Sequence, residues 1–160
     1  MILNVIFLYE KFIPLLGEHM KYVMVYWSRF GHNKKLVNYL SDKLKDKPAE
    51  IEIFHTDEAD PKNMPDADFY VFSAPTEAFN LQKNMRNFMK KLEDMDQKKY
   101  GIINTHGMNK NLLPKMEKLL SKKNMVKVAE VDFQIGKDAK SGNAFMEGWQ
   151  TKIEDFSKKI

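Results

Sequence analysis

The run Tyr22-Val23-Met24-Val25-Tyr26-Trp27-Ser28-Arg29-Phe30-Gly31-His32-Asn33 decides the fold. Its first six residues are apolar and rich in β-branched and aromatic types without alternation, the pattern of a strand buried on both faces. The strand stops at the largely polar segment Ser28 to Asn33. Leu36, Val37, Leu40 and Leu44 then recur at spacings of three and four, with lysines between them, which predicts an amphipathic helix ending before Pro48. Strand, short loop and helix form the first unit.

The pattern repeats downstream. Ile51, Ile53 and His55 mark a second strand, and Pro61 and Pro65 leave room for at most a short helix in Asp57 to Asp66. Phe69 to Ser73 reads as a third strand leaving through Ala74-Pro75-Thr76, followed by a long helix with Leu81, Met85, Phe88, Met89 and Leu92 on one face. Tyr100 to Asn104 is the fourth strand, with Thr105 to Asn111 as its exit loop. Pro114 suits the first turn of a helix whose apolar face is Met116, Leu119 and Leu120. A fifth strand over Met125 to Phe133, a polar loop through Asn143 and a last helix carrying Phe145, Trp149, Ile153 and Phe156 complete the chain. Five strands alternating with helices imply right-handed crossovers and a mostly parallel sheet covered on both faces.

A chain of 160 residues, 43% hydrophobic and 12% aromatic, is expected to build one folded core. It has no cysteine, which removes disulfides, thiolate metal sites and thiol catalysis together, so redox chemistry would need an organic cofactor or another metal. The net charge is +4, and the lysines are spread along helix-like stretches. With Arg29 and Arg86 the only arginines and no aromatic stripe, a solvated face is expected rather than a nucleic-acid surface. The eleven methionines suit core filling, and the four histidines are too dispersed for a sequence-local metal site. Asn4, Glu10, Lys11 and Pro14 interrupt the apolar stretch before His19, so no membrane span or secretory signal is expected there. Gly17-Glu18 ahead of His19-Met20 suits a purine-rich ribosome-binding sequence. Met20 is therefore expected as the natural start, residues 1–19 as an N-terminal extension and residues 20–160 as the domain, with a true N-terminal helix the other reading.

In an open parallel sheet, ligands bind beyond the carboxyl ends of the strands where strand order reverses. The loops after strands one, three and four, Ser28 to Asn33, Ala74 to Asn80 and Thr105 to Asn109, are the expected site. In the first, Gly31 permits close backbone approach and a helix begins at once, so unpaired N–H groups and the positive end of the helix dipole favour a phosphate. A tight turn with a helix cap is the plainer reading of the same residues, and a surface ion pair is the other use open to Arg29. Neither the Walker pattern nor Gly-x-Gly-x-x-Gly occurs, which favours a phosphate monoester over a pyrophosphate.

From Lys21 to Ile160 the chain resembles the flavodoxin-like family. The resemblance rests on Val25 to Lys35, on Phe72-Ser73-Ala74-Pro75-Thr76 with Asn84 to Met89, and on Ile102-Ile103-Asn104-Thr105-His106-Gly107. It implies a three-layer αβα sandwich with a five-stranded parallel sheet in the order 2-1-3-4-5, of the short-chain form. It also implies FMN, with its phosphate at Ser28, Arg29, Phe30, Gly31, His32 and Asn33. The ring would lie between Ala74, Pro75, Thr76, Glu77, Ala78, Phe79 and Asn80 on one side and Thr105, His106, Gly107 and Met108 on the other. Asn33 stands where relatives often have threonine, and Glu77, Ala78 and Phe79 depart from the ring-loop pattern, leaving Phe79, Phe30 or His106 as candidate stacking partners. The expected role is electron transfer with a redox partner protein in the cytoplasm, involving no nucleic acid, membrane, metal or catalytic side chain. An NAD(P)H-dependent flavin or quinone reductase and a cofactor-free module of the same fold are the alternatives.

Overall fold

The computed structural model describes residues 19–107, 110–136, 145 and 147–160. Strand β1 (Met20–Tyr26) leads into helix α1 (His32–Leu44) and strand β2 (Ala49–His55). Strand β3 (Phe69–Glu77), the two-residue strand β4 (Asn80–Leu81) and helix α2 (Lys83–Lys91) follow. Strand β5 (Lys99–His106), helix α3 (Leu113–Ser121), strand β6 (Val126–Gln134) and helix α4 (Trp149–Ser157) complete the fold. The five long strands are parallel in the order β2-β1-β3-β5-β6, and β4 pairs antiparallel to β3. With β4 set aside, this is the 2-1-3-4-5 order implied by the resemblance.

The unbroken apolar runs sort their residues between two cores, as the period of two requires. Val23, Val25, Tyr70, Phe72, Tyr100 and Ile102 face one core with Phe88 of α2 and Met116 of α3. Tyr22, Met24, Tyr26, Val71 and Ile103 face the other with Leu36 and Leu40 of α1 and Ile153 of α4. Each fully buried Leu or Val contributes roughly 1.5–3 kcal/mol relative to exposure. The central strands are thereby held in register from above and below.

Between β2 and β3 the chain makes turns and no helix, in keeping with Pro61 and Pro65, and Ala59, Met64 and Ala67 cover the core beside α2. Three boundaries differ from the sequence expectations. Strand β3 runs on through Ala74, Pro75, Thr76 and Glu77, because Ala74 and Pro75 pair with Asn104 and Thr105 of an equally prolonged β5. That hairpin shortens the following helix, so Leu81 lies in β4 and Leu92 caps α2, although both are buried as the pattern required. Phe145 is not helical: it bridges Ile135 in an isolated antiparallel pair. Of the expected polar loop through Asn143, Gln134 belongs to β6 and Ile135 and Gly136 follow it, while residues 137–143, and all but His19 of the expected N-terminal extension, lie outside the described residues.

Phe156 of α4 lies against the sheet where β5 has no side chain. A Cβ on Gly101 would stand 2.6 Å from Phe156 Cζ and 3.3 Å from Phe69 Cε1. Gly101→Ala should destabilise the protein by about 1–3 kcal/mol through overpacking, measured by chemical denaturation. A second expectation concerns alkaline pH. Burial, aided by the nearby Glu117 carboxylate, pushes the Tyr100 hydroxyl up to about 12. Tyr100 thus ionises later in the folded than in the unfolded chain. The stability tied to its neutral form is complete below the ordinary value near 10 and is lost as pH rises through about 12. Tyr100→Phe should flatten the fall in stability over that window by up to ~1.4 kcal/mol per pH unit in a denaturation series.

Candidate functional site

The loop leaving β1 is shaped by one glycine. Gly31 sits at φ +87° as the residue before α1, a left-handed conformation that suits glycine, and it caps the helix with no side chain. The backbone accepts the first helical bond at Gly31, from the Lys35 N–H at 2.9 Å. The Asn33 and Lys34 N–H groups, which come just before it, have no intrahelical acceptor, as at any helix start. Beside them Ser28 Oγ is buried with no hydrogen-bond partner. An anion at this turn would satisfy both deficits.

Beneath the loop, buried amides tie the strand ends together. Asn33 Nδ2 donates to Ser73 Oγ at 3.0 Å, and Thr105 Oγ1 donates to Asn33 Oδ1 at 3.0 Å, so the first turn of α1 is fastened to β3 and β5 at once. Asn104 Nδ2 donates to the Ala74 carbonyl at 3.0 Å, while its Oδ1 accepts from the Leu112 N–H at 2.8 Å. The chain before α3 is thereby anchored to the sheet. Asn33 thus serves the scaffold with its side chain and leaves only its backbone N–H for a ligand.

Above these ties lies a cleft of about 200 Å³. The loop after β1 supplies Arg29, Phe30, His32 and Asn33; β3 supplies Pro75, Thr76 and Glu77; β5 and its exit supply Thr105, His106 and Gly107. Ile135 and Gly136, beyond β6, close the remaining side. At the mouth Arg29 Nε and Nη2 donate to the two Glu77 oxygens at 2.8 and 2.9 Å, and the guanidinium lies 5.7 Å from the Trp27 ring centre. The Glu77 carboxylate, through these bonds and then its charge, holds the Arg29 guanidinium above its ordinary value. The two charges cancel across the opening. Deeper in, His106 Nε2 lies 2.6 Å from Asp132 Oδ2 and Nδ1 lies 2.9 Å from the Gly107 carbonyl oxygen. Both partners are acceptors, so the ring is held in place by a bond from whichever nitrogen carries the proton.

Ten of the expected site residues therefore line one cleft. Ser28 and Gly31 sit in the turn that leads into α1, and Ala74 is buried in the core. Ala78, Phe79 and Asn80 do not line it, and Met108 lies outside the described residues. Ala78 and Phe79 form a two-residue hairpin turn with φ +47° and +64°, joining Glu77 to its β4 partner Asn80. Left-handed geometry costs roughly 1–2 kcal/mol per non-glycine residue. The turn leaves the Phe79 side chain pointing away from the protein, 84% exposed, so it packs neither into the cleft nor onto α2. Sequence reasoning missed Asn104, Asp132, Ile135 and Gly136. A polar residue inside an otherwise apolar strand was the available signal for Asn104, and the neighbouring place of β6 was the signal for the others.

Among the described residues, no helix is long and apolar enough to cross a membrane, and no cluster of three or more His, Asp or Glu is placed to hold a metal ion. Neither a family model nor a curated protein matches the chain, so its likeness to known proteins lies in three-dimensional structure. Oxidised flavodoxin 2 of Bacillus cereus superposes with a TM-score of 0.73 at 16% identity, covering 87% of this chain and 96% of that one. The two-electron reduced flavodoxin of Megasphaera elsdenii gives a TM-score of 0.67 at 14% identity over 87% of this chain and 99% of its own. Rubredoxin oxygen:oxidoreductase of Desulfovibrio gigas matches 94% of this chain with 38% of its own length, at a TM-score of 0.72 and 12% identity. The fold is flavodoxin-like.

Since Asn104 is fully buried and satisfies groups on two segments, Asn104→Ala should cost about 1–3 kcal/mol by leaving the Leu112 N–H and the Ala74 carbonyl unpaired. Urea denaturation measures the loss, and faster amide exchange at Leu112 would locate it.

Proposed function

We propose that the chain binds FMN and acts as an electron-transfer protein. The observation that carries this reading is the uncapped start of α1 beside a buried, unpartnered Ser28 hydroxyl, at the end of β1 and the edge of a cleft. The residues present fit the cofactor. The Ser28 hydroxyl and the first N–H groups of α1 would hold the phosphate. Pro75, Thr76, His106 and Gly107 would face the ring, and Phe30, 41% exposed, would give it an apolar wall. When bound, FMN supplies the redox chemistry by accepting and returning electrons one or two at a time. The chain's part is to orient the ring and set the charge around it. Arg29 neutralises Glu77 at the mouth, and the bonds to Asp132 and Gly107 fix the His106 ring in the wall that would meet the flavin. The solved relatives include flavodoxins described as oxidised and as two-electron reduced, which supports a redox role. A redox partner protein in the cytoplasm completes the proposal.

The phosphate assignment is tested by comparing FMN with riboflavin, which lacks the phosphate. Ser28→Ala should weaken FMN about 10- to 100-fold, as expected for losing a bond to a charged oxygen at ~1.5–3 kcal/mol, and leave riboflavin affinity unchanged. Equal weakening of both removes Ser28 from the phosphate site. A wild-type protein that binds no flavin would select the cofactor-free reading, and bleaching of the loaded protein by NADPH alone would select the reductase.

A further inference from the structure

Helices α2 and α3 and the β3–β4 turn together form a face with five cations and one bare aromatic ring. Lys83, Arg86 and Lys90 recur at spacings of three and four along α2 and so share one side of it. Lys115 and Lys118 stand one turn apart on α3, which packs against α2. Burial lowers the Lys115 ammonium from its ordinary value, and the charges of Arg86, Lys90 and Lys118 add to the effect, which places all four near one another. Among the described residues, none of the five has a carboxylate within 4.0 Å, so the charges that gather here are not neutralised by the protein's own side chains.

The hairpin is pinned to this basic face. Lys115 Nζ donates to Asn80 Oδ1, and Arg86 Nη1 donates to the Leu81 carbonyl at 3.4 Å. Its two left-handed residues hold Phe79 out in water at 84% exposure, a conformation that nothing inside the protein rewards with a contact. The face also adjoins the cleft, because Glu77 borders both the cleft and the depression lined by Asn80, Lys83 and Arg86.

We propose that this face docks an acidic protein, whose surface presents clustered carboxylates around a shallow apolar recess for the Phe79 ring. Carboxylates would relieve the mutual repulsion of the five cations, and the ring would supply the apolar contact at their edge. The partner's role as electron donor or acceptor rests on the reading above; the docking surface itself does not need flavin. A nucleic acid suits the face less well, since Arg86 is the only planar donor fork and one ring gives no stacking track. An anionic membrane suits it less well too, since the apolar contact is a single ring and not a stripe along a helix.

The test titrates nitrogen-15-labelled, flavin-free protein with a synthetic peptide of alternating glutamate and leucine. Amide shifts should cluster in residues 79–91 and 113–121, and raising salt from about 0.05 to 0.3 M should weaken binding at least ~10-fold. The double variant Lys83→Glu/Lys118→Glu should weaken the peptide at least ~5-fold and leave FMN affinity unchanged. Ala78→Asn/Phe79→Gly, whose residues suit a two-residue turn, should raise Tm while weakening the peptide, the opposite of what a merely structural Phe79 would do. Wild-type peptide affinity in both variants, shifts centred elsewhere, or tighter binding to a single-stranded oligonucleotide or phosphatidylserine vesicles would overturn the proposal. Loss of FMN affinity without loss of peptide affinity in Phe79→Ala would also overturn it. Peptide binding at this face in a protein that takes no FMN would leave the docking surface standing and the cofactor reading refuted.

Discussion

A strand buried on both faces has room for polar side chains only where it ends, and β1 imposes that condition on the whole molecule. Its neighbour β3, and β5 on the far side of β3, share the constraint, so the polar groups of three strands collect at the carboxyl end of the sheet. There they bond to one another: Asn33 spans Ser73 and Thr105, and Asn104 spans Ala74 and the approach to α3. Each such bond contributes only about 0.5–1.5 kcal/mol net, but the larger penalty for breaking one within the core makes the arrangement specific. The floor of the cleft is therefore rigid, and what lies above it is set by loops.

Electrostatically, the cleft separates into two levels. At the mouth Arg29 and Glu77 form a bidentate pair that leaves no net side-chain charge, and with the Arg29 side chain more than half exposed it adds little to stability. Below, the polarity comes from backbone N–H groups at the start of α1 and from His106 held between a carboxylate and a carbonyl. An anion entering here would meet donors fixed in place before it arrives, which lowers the ordering cost of binding.

Much of this was legible in the sequence because apolar runs and helical spacing report burial directly. The core positions of β1, β3, β5 and all four helices followed from them, as did the cleft residues contributed by the loops after β1 and β5. The hairpin was not legible: Ala78-Phe79 carries none of the Asn-Gly chemistry that advertises a two-residue turn, and Pro75 argued against a longer strand. The orientation of Phe79 followed from that unseen turn. Arg29 and Glu77 are separated by 48 positions, and nothing local in either stretch foretells their pairing.

The passage from β2 to β3 crosses the core without a helix, held by the Tyr70 hydroxyl donating to the Pro65 carbonyl at 2.7 Å and the Glu93 N–H donating to the Pro61 carbonyl at 3.1 Å. A helical crossover can change length only in steps that restore its buried stripe, roughly one turn of 3.6 residues at a time. A crossover made of turns has no such quantum. Single residues can be added or removed between its anchoring contacts at a small entropic cost, so the length of this stretch is set by the few side chains it lays on the core, Ala59, Met64 and Ala67, and by no repeating stripe.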